Sequence, residues 1–146
     1  MEYREKYRIF AIDMKKTILL LLLFAMSESG YCQQMYDRAG ALIGRYEGGR
    51  FYNQAGSYEG YIDSQRFYDR SGAYLGYEND GRIYDRSGSY GGYGADGRYY
   101  DRTGSLLGYI SGENIYDRSG SLIGRTRNVP SNIAALVFLY RIYNLR

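Results

Sequence analysis

The sequence predicts an all-β fold: an antiparallel meander of hairpins made from 16-residue repeats, ending in a short apolar C-terminal helix. Two observations carry that reading. The first is a strict period, with copies beginning at Met35, Phe51, Phe67, Ile83, Tyr99 and Ile115 and no insertion between them. Tyr holds the second position of every copy, and Gly holds the sixth and the tenth. A constant period marks an architecture in which each unit buries its apolar face against its neighbours. The second observation is that each copy carries two turn signals. They leave two strands of roughly four to six residues, an ordinary strand length.

Residues 1–32 read as an export segment. Met14-Lys15-Lys16 is a basic start, and Ile18 to Met26 is an apolar run shorter than the roughly 20 residues a membrane span needs. Residues 1–13 have mixed charge and no motif, which suggests an extension upstream of a true start at Met14; a cytoplasmic tail on a signal anchor is the alternative. Cleavage is expected after Cys32, with a second candidate at Ala25-Met26-Ser27. Lipidation of Cys32 is a further alternative, against which stand Tyr31 and Ser29, where a lipobox has a small and an aliphatic residue.

Residues 33–128 form the six-copy repeat domain. In Ile83-Tyr84-Asp85-Arg86-Ser87-Gly88-Ser89, the Asp-x-x-Gly run fits a type I turn followed by a left-handed glycine bulge. Asn53-Gln54-Ala55-Gly56 keeps the same chemistry with Asn in place of Asp. The second signal is Asp80-Gly81, repeated as Asp96-Gly97, a two-residue hairpin loop. Gly48-Gly49 makes the same turn; Ser64-Gln65 and Gly112-Glu113 are weaker forms. Counting outward from Asp80-Gly81 pairs Asn79 with Arg82, Glu78 with Ile83 and Tyr77 with Tyr84. The same count gives Tyr61–Tyr68, Tyr93–Tyr100, Tyr109–Tyr116 and Arg45–Tyr52. Gly76 then faces Asp85, leaving room for a ring over bare backbone. Helix is excluded here by the glycine density, at about 1 kcal/mol per glycine in a helix interior. Two strands, Met35–Asp37 and Leu122–Arg125, lack hairpin partners, and exposed edges are avoided because they template aggregation. They are expected to meet and close the array, or to be covered by the tail.

Residues 129–146 form an apolar C-terminal segment. Pro130 marks the boundary, Ser131 is expected to cap a helix through Ile133–Tyr140, and Arg141 and Arg146 suit its end. A buried strand through Leu136–Ile142 is the alternative. The segment is expected to pack on the open end of the repeats, burying Leu136, Phe138 and Leu139 against Ile43, Leu75, Leu107 and Ile123.

Composition narrows the function. The chain has 19 basic and 16 acidic residues, a net charge of +3, too slight an excess for a nucleic-acid surface. It has no His and one Cys, which removes the commonest general base, thiol nucleophile and metal ligands. No enzymatic activity, cofactor or metal is therefore expected. Within the repeats Tyr and Gly sit at fixed offsets, which argues against a disordered low-complexity chain.

The run YDRSG, an apolar pair, Gly-Tyr and then DGR resembles the secreted bacterial four-fold and five-fold β-flower families, from Met35 to about Arg125 plus the apolar tail. The resemblance implies hairpin petals set as a flower-like ring about an axis, and it implies no activity. A weaker similarity runs to the YD repeats of toxin-shell proteins, whose repeats and chains are longer. Choline-binding repeats are similar in kind but rely on Trp, which is absent here. The expectation is an exported structural or binding module of the periplasm or cell surface, with an envelope protein or carbohydrate as partner. Its alternative form is a glycan platform in which Tyr61, Tyr77, Tyr93 and Tyr109 stack on sugar rings while Arg70, Arg86 and Arg102 bond hydroxyls.

Overall fold

The computed structural model describes residues 32–145; residues 1–31, where the export segment is expected, and Arg146 lie outside them. Twelve strands follow in order: β1 (Gln33–Asp37), β2 (Leu42–Glu47), β3 (Arg50–Asn53), β4 (Tyr58–Asp63), β5 (Arg66–Asp69), β6 (Tyr74–Asn79), β7 (Arg82–Asp85), β8 (Tyr90–Ala95), β9 (Arg98–Asp101), β10 (Leu106–Ser111), β11 (Asn114–Asp117) and β12 (Leu122–Arg127). Helix α1 (Ser131–Phe138) comes last. Each strand pairs with its sequence neighbours, and β12 pairs with β1, so the meander closes into a barrel.

The tight turns set the register. Asp80 and Gly81 have φ of 54° and 76°, as a two-residue loop with both residues left-handed requires. Tyr77 therefore opposes Tyr84, Glu78 opposes Ile83 and Asn79 opposes Arg82. The other counted pairs hold as well: Tyr61–Tyr68, Tyr93–Tyr100, Tyr109–Tyr116 and Arg45–Tyr52. Closure repeats this register without a loop. Arg125 opposes Tyr36 and Gly124 opposes Asp37, the offset of Tyr109–Tyr116 and Gly108–Asp117. The orphan strands thus form a sixth hairpin between the two ends of the repeat domain, and neither edge is left open.

Ser64 and Gln65 take φ of 48° and 68°, the conformation glycine adopts most readily and other residues resist. Replacing them with Asn-Gly is expected to raise stability by about 1 kcal/mol, read from urea unfolding.

At the opposite end, six longer turns share one chemistry. The Asp85 Oδ1 accepts from the backbone N–H of Ser87 at 2.8 Å and of Ser89 at 3.0 Å, and from the Ser87 hydroxyl at 2.6 Å. Asn53 holds its turn the same way, accepting from Ala55 and Ser57 at 3.0 Å. After each turn the ladder slips. Ile115 opposes Gly124 but Tyr116 opposes Leu122, so Ile123 is an extra, bulged residue. A bulge directs two successive residues to one face, here positions nine and ten of every copy. Position nine thus faces inward with Ile43, Leu75, Leu107 and Ile123, and position ten with glycine.

The lumen is filled by the tail. Position one of every copy points inward and is buried: Met35, Phe51, Phe67, Ile83, Tyr99 and Ile115. These form one core with Ile133–Leu139, Tyr143 and Leu145. Ala134 and Ala135 are small enough for α1 to lie close to its surroundings, and both are buried. Past α1 the chain winds round the ring, seating side chains on the position-ten glycines in descending order. Phe138 lies on Gly124, Leu139 on Gly108, Tyr140 on Gly92, Tyr143 on Gly60 and Leu145 on Gly44. Only Gly76 meets backbone alone. A ring is expected over Gly76, yet the atoms nearest it are backbone; tail rings lie instead on Gly124, Gly92 and Gly60.

Two tyrosine hydroxyls fasten this spiral. Tyr143 donates to the Tyr61 carbonyl at 2.8 Å and accepts from the Tyr68 N–H at 3.3 Å. Tyr140 donates to the Tyr100 carbonyl at 3.2 Å. Burial pushes both phenols well above their ordinary range, so both stay protonated as donors.

The tail is helical, not a strand, but its ends differ from expectation. Ser131 is the first helical residue and makes no capping bond; Pro130, extended at φ −57° and ψ 142°, takes the cap position. The Pro130 carbonyl accepts from the Ala134 N–H at 3.0 Å. Arg141 lies beyond the helix, which stops at Phe138 because the following side chains must spread round the ring. Arg141 adopts φ 54°, and the Ile142 N–H reaches the Leu136 carbonyl at 2.8 Å. Among the described residues no helix is long and apolar enough to cross a membrane.

Candidate functional site

The strand pleat puts position two and position eleven outward, so the outer wall is a belt of tyrosines. Tyr61 stacks on Tyr68 at 4.6 Å, Tyr77 on Tyr84 and Tyr93 on Tyr100 at 4.7 Å, and Tyr109 on Tyr116 at 4.8 Å. In the first copy the Arg45 guanidinium lies 4.8 Å over Tyr52. Position eight adds a third ring, Tyr74 at 5.8 Å from Tyr68 and Tyr90 at 5.9 Å from Tyr84. Each of the four tyrosines nominated from the sequence therefore spends one ring face on its neighbour. The most open rings are Tyr74 and Tyr90, 36% and 37% exposed, which the sequence reading did not nominate.

Arg70, Arg86 and Arg102 are exposed on the rim of Asp turns, each one residue after its Asp. They form no ion pair among the described residues, where the one pair is Arg45–Glu47 at 3.7 Å. The structure thus gathers the tyrosines on the wall and the arginines on the rim, at different levels of the barrel.

The larger feature is the mouth of the barrel at the Asp-turn rim. It holds a cavity of about 1270 Å³ floored by Val137, Phe138, Leu139, Tyr143 and Leu145. Its wall is Ile43, Leu107 and Ile123, and its rim carries Asp37, Asp101, Asp117, Arg38 and Arg118, with Arg141 rising from the tail. None of the seven nominated residues lines it. The signal that finds this mouth is position nine. It reads Ile43, Glu59, Leu75, Gly91, Leu107 and Ile123, so the copies made adjacent by closure share large apolar residues.

The rim carboxylates are turn acceptors first. The hydroxyls of Ser71, Ser87, Thr103 and Ser119 hold Asp69, Asp85, Asp101 and Asp117 below the ordinary 3.8. Their stabilising contribution is complete above that value and disappears as pH falls through the lower folded value. Melting temperature is expected to drop below about pH 4, and the fourfold Asp→Asn variant to show a flatter decline, because Asn53 already holds the same turn. An equal decline in both would assign the acid sensitivity elsewhere. With one oxygen of each of Asp37, Asp101 and Asp117 held in its turn, the mouth offers an apolar floor and arginine donors, an arrangement for binding.

No curated protein and no solved structure matches this chain. The model of the family described as "5-fold beta-flower protein" matches residues 32–141, the whole barrel and its tail as far as Arg141. The protein, with five hairpins closed by tight turns and a sixth formed by its terminal strands, belongs to the 5-fold β-flower family.

Proposed function

We propose that this protein is an exported, non-enzymatic binding module of the cell envelope that receives its ligand in the barrel mouth. The open cavity of about 1270 Å³ carries the reading. It exceeds the roughly 300–1,000 Å³ of ordinary ligand pockets and combines an apolar floor with a few polar groups. A thermal-shift screen of envelope metabolites tests it. Ligands that raise the melting temperature should lose their effect in Ile123→Glu and keep it in Tyr90→Ala; hits indifferent to Ile123→Glu contradict the reading. Export rests on Met14–Gln34: secreted material should begin at Gln33 or near Glu28, and full-length cytoplasmic protein retaining Met1 contradicts it.

A second reading, glycan binding on the outer wall, is favoured by the exposed Tyr74 and Tyr90 rings beside the stacked pairs. On a glycan array, a signal lost in Tyr74→Ala or Tyr77→Ala supports it, and silence disfavours it.

A further inference from the structure

Resting on the mouth as the binding site, we infer its ligand class: a free single-chain anionic amphiphile, with its apolar chain on the tail-built floor and its acidic head among Arg38, Arg118 and Arg141. The floor and wall supply the apolar half. Val137, Phe138 and Leu139 from the tail and Leu107 and Ile123 from the strands all line the cavity, and the three tail residues belong to the buried core.

The charged half follows from which groups are already engaged. Asp37, Asp101 and Asp117 also face the mouth, but each commits an oxygen to its own turn. The Asp117 Oδ1 accepts from the Ser119 N–H at 2.8 Å, the Ser119 hydroxyl at 2.6 Å and the Ser121 N–H at 3.0 Å. Asp101 repeats the set with Thr103 and Ser105, and Asp37 accepts from the N–H groups of Ala39 and Ala41. Arg38, Arg118 and Arg141 form no ion pair within 4.0 Å among the described residues. A guanidinium fork suits a carboxylate or phosphate head, which it can bond through two parallel N–H groups.

Arg141 is the second, independent observation. On the rim each Arg of an Asp turn is matched by that turn's Asp, and in the second copy Asn53-Gln54 replaces both. Arg141 adds a positive charge to this balance. It does so exposed at the cavity edge with φ 54°, a conformation that favours glycine at the end of a helix. A strained, exposed, cavity-lining side chain at a position where glycine is more stable points to a role in binding.

Calorimetric titration of the chain beginning at Gln33 tests the inference, with decanoate, decanol and decyltrimethylammonium as probes below their micelle concentrations. Decanoate is expected to bind one per chain, more tightly than decanol, with decyltrimethylammonium weakest. Arg141→Gly should weaken decanoate about tenfold while raising the melting temperature, a pairing that a purely structural Arg141 would not produce. Arg118→Lys should bind better than Arg118→Gln. Leu107→Asp should abolish decanoate binding, and Tyr90→Ala should leave it unchanged. If decanol or the cation binds as tightly as decanoate and Leu107→Asp abolishes it, the anionic class is wrong while the mouth remains the site. If decanoate binding ignores Leu107→Asp, or if decanoate partitions to vesicles and carries the protein with it, the mouth itself is the wrong site. Binding of none of the three overturns the inference and leaves the mouth to the metabolite screen.

Discussion

Ending the chain after Asn128 is expected to abolish the folded barrel. The cut leaves all twelve strands and both kinds of turn in place, so a barrel held by its ladder alone would survive it. It removes Ile133, Leu136, Val137, Phe138, Leu139, Tyr143 and Leu145, all buried. At roughly 1.5–3 kcal/mol per large side chain, their burial is worth on the order of 10 kcal/mol or more, comparable with the whole stability of a small domain. It also uncovers Phe51, Phe67 and Ile115 around an emptied lumen. No disulfide compensates, since the single cysteine, Cys32, is free. Circular dichroism and size exclusion should show an unfolded or aggregated chain. A soluble monomer as heat-stable as the parent would move the tail out of the core and into partner contact.

Gly60→Ala is expected to cost about 2–4 kcal/mol in urea unfolding. A Cβ at Gly60 would meet the Tyr68 carbonyl oxygen on the neighbouring strand and the Tyr143 ring, whose Cε1 would be 2.7 Å away. The first neighbour is ladder backbone and cannot yield; the second is pinned by its hydroxyl between Tyr61 and Tyr68. Gly60 also has φ 149°, where a side chain is disfavoured. Gly72→Ala is the control. That turn glycine has φ 82° but open space around its Cβ direction, so only the backbone term of about 1 kcal/mol applies. Equal losses at the two sites would mean the tail does not press on Gly60.

The barrel was readable in the sequence because its determinants are local and repeated. Asp-x-x-Gly and Asp-Gly set their own turns, the turns set the register, and the register put Tyr77 opposite Tyr84. Two strands without partners left closure or cover by the tail as the outcomes, and the structure shows closure. The path of the tail was not readable. Gly60 announces a space, yet nothing nearby says that Tyr143, more than eighty residues on, fills it. Ser131 and Arg141 misled for a related reason. Cap and end rules describe a helix ending in solvent, whereas this one has Pro130 at its cap position and stops where its side chains must fan out. The candidate site failed by topology. Tyr61, Tyr77, Tyr93 and Tyr109 stand out by period, but a repeat read in isolation cannot show that closure sets Ile43 next to Ile123 and Leu107 across one mouth.

The central claim is that tail side chains are seated one by one on repeat glycines, and a double-mutant cycle at Gly124 and Phe138 tests it most directly. At Gly124 the three atoms nearest a new Cβ all belong to the Phe138 ring, with Cδ1 at 2.7 Å and Cζ at 2.8 Å. The backbone there is not in the left-handed region, so the ring is the principal obstacle. Gly124→Ala and Phe138→Leu should each destabilise, the first by overpacking and the second by leaving a cavity. Combined, the smaller Leu makes room for the new methyl, and the pair should be more stable than the sum of the two losses by about 1 kcal/mol. Losses that simply add, within about 0.3–0.5 kcal/mol, would mean that Phe138 does not sit on Gly124 and would contradict the account.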